Sequence, residues 1–449
     1  MNKSLNGKKI AVLGIGVSNM SALRYLMRHD LKALTVFDSR QKPPRMSEIP
    51  SGIDVRLGEF SSKVLSGYDM LVLGPGISVY TPEVEEAARH GAEIVGDVEL
   101  FAREARAPVI GITGSNGKST VTTLTALMAR KDGINAVMGA NIGVPVFDAL
   151  RDDAELYVLE LSSFELETTS SLKLKAGTIL NVSEDHLDRY HGSIEEYAAA
   201  KQRIYLNCEK AVVNRADPRT LPKNGLTPFA SFGSDSQSYG IIKDPDGRVW
   251  LGVDGKALYD TSRMHIYGAH NHQNALACMA LCDAAGISRK AQFAALDDFS
   301  GLPHRCQLVA VIDGVSYYND SKATNVASAQ AAIEGLAGAH PQGILLLAGG
   351  LGKGQDFSPL CRYIGKEVTD VYCFGRDAAK ILALDSKRCH SVMNMRQALN
   401  EARAKAKRGQ AVLLSPACAS FDQFRGFEER GEVFVSMVRR LEESGGQNG

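Results

Sequence analysis

Val109-Ile110-Gly111-Ile112-Thr113-Gly114-Ser115-Asn116-Gly117-Lys118-Ser119-Thr120 is the stretch on which the reading of this chain turns. A short apolar run enters a glycine-rich turn, and an amphipathic helical pattern leaves it. Glycines let backbone N–H groups approach phosphate oxygens, and a helix N-terminus adds partial positive charge. In that setting Lys118 neutralises the outer phosphates of a nucleotide, and the Ser119 hydroxyl holds Mg²⁺. The spacing is GxxGxxGK[ST] rather than GxxxxGK[ST], because Ile112 stands where the first glycine would be. The bland alternative is a glycine turn with a chance lysine, and the strand–loop–helix context argues against it.

Outward from this loop, short apolar runs alternate with helical patterns. They include Ile10–Leu13, Met70–Leu73, Tyr157–Leu161, Thr178–Leu180, Ile344–Ala348, Val371–Phe374 and Ala411–Leu414. Runs this apolar read as strands of parallel sheets buried on both faces. Alternation with helices predicts an α/β protein. Asp246-Gly247 and Asp254-Gly255 read as hairpin turns, an antiparallel addition to the parallel core. Three blocks follow: 1–96, 97–300 and 301–449. Gly301-Leu302-Pro303 breaks the pattern before the third, which is expected to show clean βα alternation. The Gly/Asn/Gln-rich tail after Glu443 is expected to fray.

Three groups downstream of the loop carry candidate chemistry. Glu160 ends a strand-type run, where a carboxylate faces the ligand crevice and binds Mg²⁺ or is simply solvated. His186, in Asn181-Val182-Ser183-Glu184-Asp185-His186-Leu187-Asp188, is either a second metal ligand or a hydrogen-bonded structural group. Ser193 and Glu196 are spaced as a capping box, so a helix starts near Ile194. Lys201 lies two turns into it, among Ala198, Ala199 and Ala200; on its own such a lysine reads as a solvated charge. In the first block, Gly14-Ile15-Gly16 follows a strand and Asp38 ends the next. Asn19 replaces the third glycine of a dinucleotide fingerprint, so this turn either binds a nucleotide diphosphate or is merely tight.

Composition narrows the class. The 449 residues are too many for one core. Lysine plus arginine (51) equals aspartate plus glutamate (51), which marks neither a nucleic-acid nor a membrane binder. The eight cysteines form no CxxC pair and fit a reducing compartment. Cys278 and Cys282 share a helix face and read as buried small hydrophobes. No run approaches the roughly 18 apolar residues of a membrane span, and Ile10–Leu13 is too short for a signal core. A cytoplasmic enzyme is expected.

The motifs taken together resemble the Mur ligase family. They are Gly111–Thr120, Leu159–Phe164, Asn181–Tyr190, Tyr197–Tyr205, His270-Asn271-His272-Gln273-Asn274-Ala275 and Leu302-Pro303-His304-Arg305, in that order. Asn319–Asn325, Gly349–Gly354, Leu414–Asp422, Gly14–Ser18 and Gly74–Ile77 resemble the branch that adds D-glutamate, and the Asp-Asn-Pro-Arg expected of the diaminopimelate- or lysine-adding branch is absent. The resemblance implies a Rossmann-like UDP-binding domain, a central ATPase and a Rossmann-like amino-acid-binding domain. It implies an ATP- and Mg²⁺-dependent ligase, with two metal ions, joining D-glutamate to UDP-N-acetylmuramoyl-L-alanine as a monomer.

Residue by residue, the resemblance puts Val17, Ser18, Asp38, Ser39, Arg40, Gly76, Asn141 and His186 at the UDP-linked substrate. Gly139-Ala140-Asn141 departs slightly from the expected Gly-Gly-Asn or Gly-Asn. ATP falls to Gly114, Ser115, Asn116, Gly117, Lys118, Ser119 and Thr120. Asn271 and Asn274 go to adenine, Arg305 to the γ-phosphate and Asp320 to the ribose. Magnesium falls to Ser119, Glu160, His186 and Lys201, the last carbamylated by CO₂. Thr324, Lys353, Ser420 and Phe427 take D-glutamate, and Lys322 sits beside the reaction centre. A folylpolyglutamate-synthase-like ligase would lack the first block. A non-enzymatic nucleotide-binding scaffold would have lost Lys118, Glu160 or His186.

Overall fold

The computed structural model describes residues 4–266 and 268–445. It contains three sheets. The first is five-stranded and parallel, in the order β3-β2-β1-β4-β5. Its strands are β1 Lys9–Leu13, β2 Ala33–Asp38, β3 Asp54–Leu57, β4 Met70–Leu73 and β5 Glu93–Val95. The chain reverses direction across the sheet between β1 and β4. This opens a crevice at their carboxyl ends, where Gly14–Gly16 and Gly74–Gly76 lie.

The second sheet has nine strands, in the order β14-β13-β12-β11-β10-β9-β6-β8-β7. They are β6 Val109–Thr113, β7 Ala136–Ala140, β8 Leu156–Glu160, β9 Ala176–Ile179, β10 Ala211–Asn214, β11 Ala230–Phe232, β12 Tyr239–Lys243, β13 Val249–Val253 and β14 Lys256–Asp260. The parallel strands β6 and β8 are buried along their whole length, as their apolar sequence requires. The strands β12, β13 and β14 run antiparallel through the two expected Asp-Gly turns. At the second turn both Asp254 (φ 48°) and Gly255 (φ 78°) are left-handed, the geometry that makes Asp-Gly a hairpin signal.

The third sheet runs β15-β16-β20-β17-β18-β19. Its strands are β15 Gln307–Ile312, β16 Val315–Asn319, β17 Ile344–Gly349, β18 Val368–Phe374, β19 Cys389–Ser391 and β20 Ala411–Leu414. Clean βα alternation does not hold at its start. β15 and β16 form an antiparallel hairpin through Asp313 (φ 54°) and Gly314 (φ 78°), and Leu308 and Val311 stay exposed on the edge strand. Each face of this sheet carries its own apolar core.

The chain divides into two compact units. One comprises residues 1–182, 187–262 and 273–297, with the first two sheets; the other comprises 183–186, 263–272 and 298–449, with the third. The last helix runs Phe427–Gly445, past Glu443, and residues 446–449 of the expected frayed tail lie outside the described residues. Cys278 and Cys282 are fully buried as expected. Among the described residues no helix is long and apolar enough to cross a membrane.

Candidate functional site

The phosphate loop leaves β6, an interior strand between β9 and β8. Register places Ile112 opposite Glu160 of β8 and Thr113 opposite Ile179 of β9, so Glu160 and Asn181 flank the loop. Gly114 (φ 150°) and Gly117 (φ 85°) hold backbone conformations that side chains disfavour. A Cβ on Gly114 would lie 3.0 Å from Leu180 Cβ, and one on Gly117 would lie 2.6 Å from Asn274 Oδ1. Gly117 caps the helix Lys118–Lys131, whose first turn has no capping side chain and no acidic residue. Its leading N–H groups therefore meet no negative charge of their own helix.

Asn181 braces the loop from the neighbouring strand. Its carbonyl accepts from Ser115 N–H (2.9 Å) and its Oδ1 accepts from Asn116 N–H (2.9 Å). Its amide donates to the Asn116 carbonyl (3.1 Å). Lys118 Nζ donates to the carbonyls of Gly114 (2.8 Å) and Ser115 (3.0 Å), which folds the ammonium over the loop. Lys201, 1 % exposed, donates from Nζ to the same Gly114 carbonyl at 3.1 Å and lies 4.3 Å from the Tyr197 ring centre. The structure thus brings a lysine that sequence pattern alone reads as solvated into the core beside the phosphate loop.

Glu160 is buried, and its two oxygens differ. Oε1 accepts from Asn141 Nδ2 at 3.1 Å, while Oε2 has no hydrogen-bond partner among the described residues. An anionic oxygen kept from water and left open next to a phosphate loop fits a hard divalent cation. Asn141, expected at the UDP-linked substrate, is engaged with Glu160 through both its side chain and its backbone N–H. The helix Ile194–Gln202 starts where expected, but only half of the capping box forms. Ser193 Oγ accepts from Glu196 N–H, while the Glu196 carboxylate turns to His191. The complete box is Ser162 with Glu165, on the helix after Glu160.

In the first sheet, Asn19 explains its own departure from the fingerprint. Its amide donates to the carbonyls of Leu13 (2.7 Å) and Gly14 (2.9 Å), tightening the turn. Asp38 accepts from Ile15 N–H at 2.7 Å and from the Arg40 backbone and guanidinium. Burial opposes its ionisation, but Arg40 and these N–H groups outweigh it and carry Asp38 down to about 2. The helix Val17–Leu26 also lacks a capping side chain and an acidic first turn, and Val17 is exposed above the crevice. Ser39 and Arg40 follow β2 at its carboxyl end and are exposed. A Cβ on Gly76 would meet nothing within 4 Å.

In the second unit, candidate residues gather on loops at the carboxyl ends of β16, β17 and β20. Asp320 accepts from Cys306 N–H (3.0 Å) and Ser415 Oγ (2.7 Å). Burial pushes Asp320 up to about 7 against these bonds and the pull of Arg305. Lys322 Nζ stands 3.7 Å over the Phe427 ring. Thr324 N–H donates to the Lys322 carbonyl, and Lys353 (φ 52°) pairs with Asp185 at 3.1 Å. Ser420 is buried after β20. His270, flanking Asn271, is pushed down to about 4, mainly by burial and then by neighbouring His272.

Sequence reasoning assigned no role to Arg430, which is fully buried and ties the loops together. It donates to Ser321 Oγ (2.9 Å), the Ser321 carbonyl (2.7 Å) and the Cys418 carbonyl (3.0 Å). Burial pushes its guanidinium down to about 10. Asn181 was legible as a motif residue but not as the brace of the loop.

A phosphate loop beside a buried, open carboxylate oxygen, with two further Rossmann-like crevices elsewhere in the chain, defines a nucleotide-dependent enzyme of several domains. Family models match across most of the sequence: "Mur ligase MurD-like, N-terminal domain" at 8–96, "Mur ligase middle domain" at 112–282 and "Mur ligase, glutamate ligase domain" at 304–418. UDP-N-acetylmuramoylalanine--D-glutamate ligase of Escherichia coli K12 is 45% identical over 97% of this chain and 99% of its own length. The ligase of that name from Salmonella paratyphi A is 44% identical over 97% and 98%. Among solved structures, UDP-N-acetylmuramate-alanine ligase MurC from Thermotoga maritima superposes with a TM-score of 0.61 at 17% identity, covering 97% of this chain and 100% of that one. The Thermotoga maritima MurF ligase in complex with ADP gives 0.60 at 16%, covering 98% and 97%; both likenesses speak to the fold alone. The chain belongs to the Mur ligase family, the ATP-dependent amide-bond ligases of peptidoglycan precursor synthesis.

Proposed function

We propose that this chain joins the amine of D-glutamate to the alanyl carboxylate of UDP-N-acetylmuramoyl-L-alanine, as a cytoplasmic monomer. The 45% identity to an enzyme of that name, over nearly the full length of both chains, carries the reading. The domains are 1–96 for the UDP-linked substrate, 97–300 for ATP and 301–449 for the amino acid.

A carboxylate is a poor electrophile, so its oxygen first attacks the γ-phosphorus of ATP. ADP leaves, and an acyl phosphate forms. The D-glutamate amine adds to the carbonyl carbon, giving a tetrahedral intermediate, which expels phosphate and loses a proton to leave the amide. Gly114–Thr120 cradle the triphosphate, and Lys118 and Arg305 screen repulsion between it and the incoming carboxylate. Asn271 and Asn274 hold adenine, and Asp320 the ribose. Val17, Ser18, Asp38, Ser39, Arg40, Gly76 and Asn141 frame the UDP-linked substrate, with His186.

The open Glu160 Oε2 supports a divalent ion. Ser119 and Glu160 would hold one Mg²⁺, and His186 with a Lys201 carbamate a second. Bound there, magnesium supplies charge neutralisation to the phosphoryl oxygens. Thr324, Lys353 and Ser420 anchor the two carboxylates of D-glutamate, Phe427 completes its site, and Lys322 lies beside the reaction centre.

Anchoring both carboxylates fixes which enantiomer presents its amine, so L-glutamate should release phosphate at least about a hundredfold more slowly than D-glutamate in the presence of UDP-N-acetylmuramoyl-L-alanine. Steady-state phosphate release with each amino acid measures this. Equal rates for the two enantiomers, or a preference for another amino acid, would overturn the substrate assignment.

A further inference from the structure

The loop after β4, Gly74–Ser78, is held by an arginine from a different part of the chain. Arg189 donates from Nη1 to the Pro75 carbonyl (2.9 Å) and from Nη2 to the Ile77 carbonyl (3.1 Å). Two more of its donors go to Glu167, at 2.6 Å and 3.3 Å, and the Tyr190 hydroxyl donates to the same carboxylate at 2.6 Å. The guanidinium lies 4.2 Å from the Phe164 ring centre. Only 10% of the Arg189 side chain and 4% of the Glu167 side chain are exposed. A planar fork with its donors committed in this way fixes direction as well as distance.

The peptide plane turns this into a statement about donors. In a trans peptide the C=O and the following N–H point in opposite directions. Holding the Pro75 carbonyl therefore aims the Gly76 N–H away from Arg189, and holding the Ile77 carbonyl does the same for the Ser78 N–H. Neither N–H has a hydrogen-bond partner among the described residues, whereas the intervening Ile77 N–H closes the turn on the Gly74 carbonyl. Gly76 is exposed and its Cβ direction is open. Two N–H groups both turned away from Arg189, and unengaged among the described residues, at the crevice of the first sheet are donors suited to an anion.

We infer that Arg189 is a positioning residue for the UDP-linked substrate: through the Pro75 and Ile77 carbonyls it presents the Gly76 and Ser78 N–H groups to the diphosphate. Glu167, on the helix Ser163–Glu167 that follows the Glu160 strand, holds Arg189 in turn. The effect is local, because the first sheet meets the central one through other contacts. Ser21 and Arg24 bond Asp148, Tyr25 stacks on Phe147 at 4.2 Å, and the Tyr25 hydroxyl donates to Glu104. The inference rests on the substrate proposed above.

Calorimetric binding of UDP-N-acetylmuramoyl-L-alanine and of ATP, with KM for all three substrates and a thermal melt, tests it on wild type, Arg189→Met, Arg189→Lys and Glu167→Gln. Arg189→Met should weaken binding of the UDP-linked substrate about tenfold or more, with ATP and D-glutamate KM held within about twofold. Arg189→Lys, which can satisfy one carbonyl but not both, should fall between, and so should Glu167→Gln. Guanidinium ion in solution should restore part of the affinity to Arg189→Met. Unchanged binding in a folded Arg189→Met protein, or equal rises in all three KM values alongside a lowered melting temperature, would overturn it. Wild-type protein that fails to bind the UDP-linked substrate would instead overturn the substrate reading.

Discussion

Lys118→Ala should lower phosphate release by about a thousandfold or more while leaving the melting temperature within a few degrees of wild type. The ammonium is held over the loop by the Gly114 and Ser115 carbonyls, where the outer phosphates of a bound nucleotide would lie. Removing it leaves the attacking carboxylate facing the triphosphate with one cation fewer. Preorganised charge of this kind is worth roughly 3–5 kcal/mol of barrier, and each 1.4 kcal/mol or so is about tenfold. The fold should survive because the loop keeps its Asn181 brace and its glycine geometry, neither of which uses the lysine. Phosphate release and a thermal melt on the same preparation check both halves. A folded variant within about tenfold of wild type would remove the phosphate loop from the chemistry.

Lys201→Ala should lose activity to a similar degree and, unlike Lys118→Ala, regain part of it when acetate is added. Lys201 is buried with its Nζ beside the Gly114 carbonyl, on a helix where its neighbours Ala198 and Ala200 are small and buried. An ammonium there repels a divalent ion. Carbamylation joins the neutral amine to CO₂, releases one proton and leaves a carboxylate-like anion suited to magnesium. The reaction needs the neutral amine, since an ammonium has no lone pair with which to attack CO₂. Acetate can occupy the space vacated in Lys201→Ala and restore an oxygen anion. Lys201→Arg should not be rescued, since the guanidinium still fills the space and cannot be carbamylated. Turnover against acetate concentration, with intact-protein mass measured in bicarbonate, gives the result. Full activity of Lys201→Ala together with unmodified Lys201 would contradict the carbamate.

The parts of the fold that sequence disclosed share a physical cause. Gly111–Thr120 was legible because a phosphate loop is a local object, built from consecutive glycines and the first turn of one helix. The strands β1, β4, β6, β17 and β20 were legible because burial on both faces forces unbroken apolar runs. The hairpin β15–β16 was missed although Leu308–Ile312 is an unbroken apolar run and Asp313-Gly314 carried a turn signal; Leu308 and Val311 are exposed on this edge strand, so its apolar run does not mark burial on both faces. The burial of Lys201 was not legible from pattern, since its contact lies on the glycine loop 87 residues earlier. Asn181, Arg189 and Arg430 act on backbone carbonyls or N–H groups of distant segments. No spacing rule exposes such contacts. The Glu196 carboxylate shows the converse: a correct local motif lost one of its bonds to His191.

The most direct test of carboxylate activation by ATP follows an oxygen atom. UDP-N-acetylmuramoyl-L-alanine labelled with ¹⁸O in its alanyl carboxylate is turned over with ATP and D-glutamate, and the released phosphate is examined by mass spectrometry. If the carboxylate attacks the γ-phosphorus and the amine then displaces phosphate from the acyl carbon, one carboxylate oxygen leaves in every phosphate. Each phosphate formed from doubly labelled substrate should therefore carry one ¹⁸O, and the amide product should keep the other. Phosphate free of label, with the oxygen lost from the alanyl carbon recovered in water or in the nucleotide instead, would contradict an acyl phosphate.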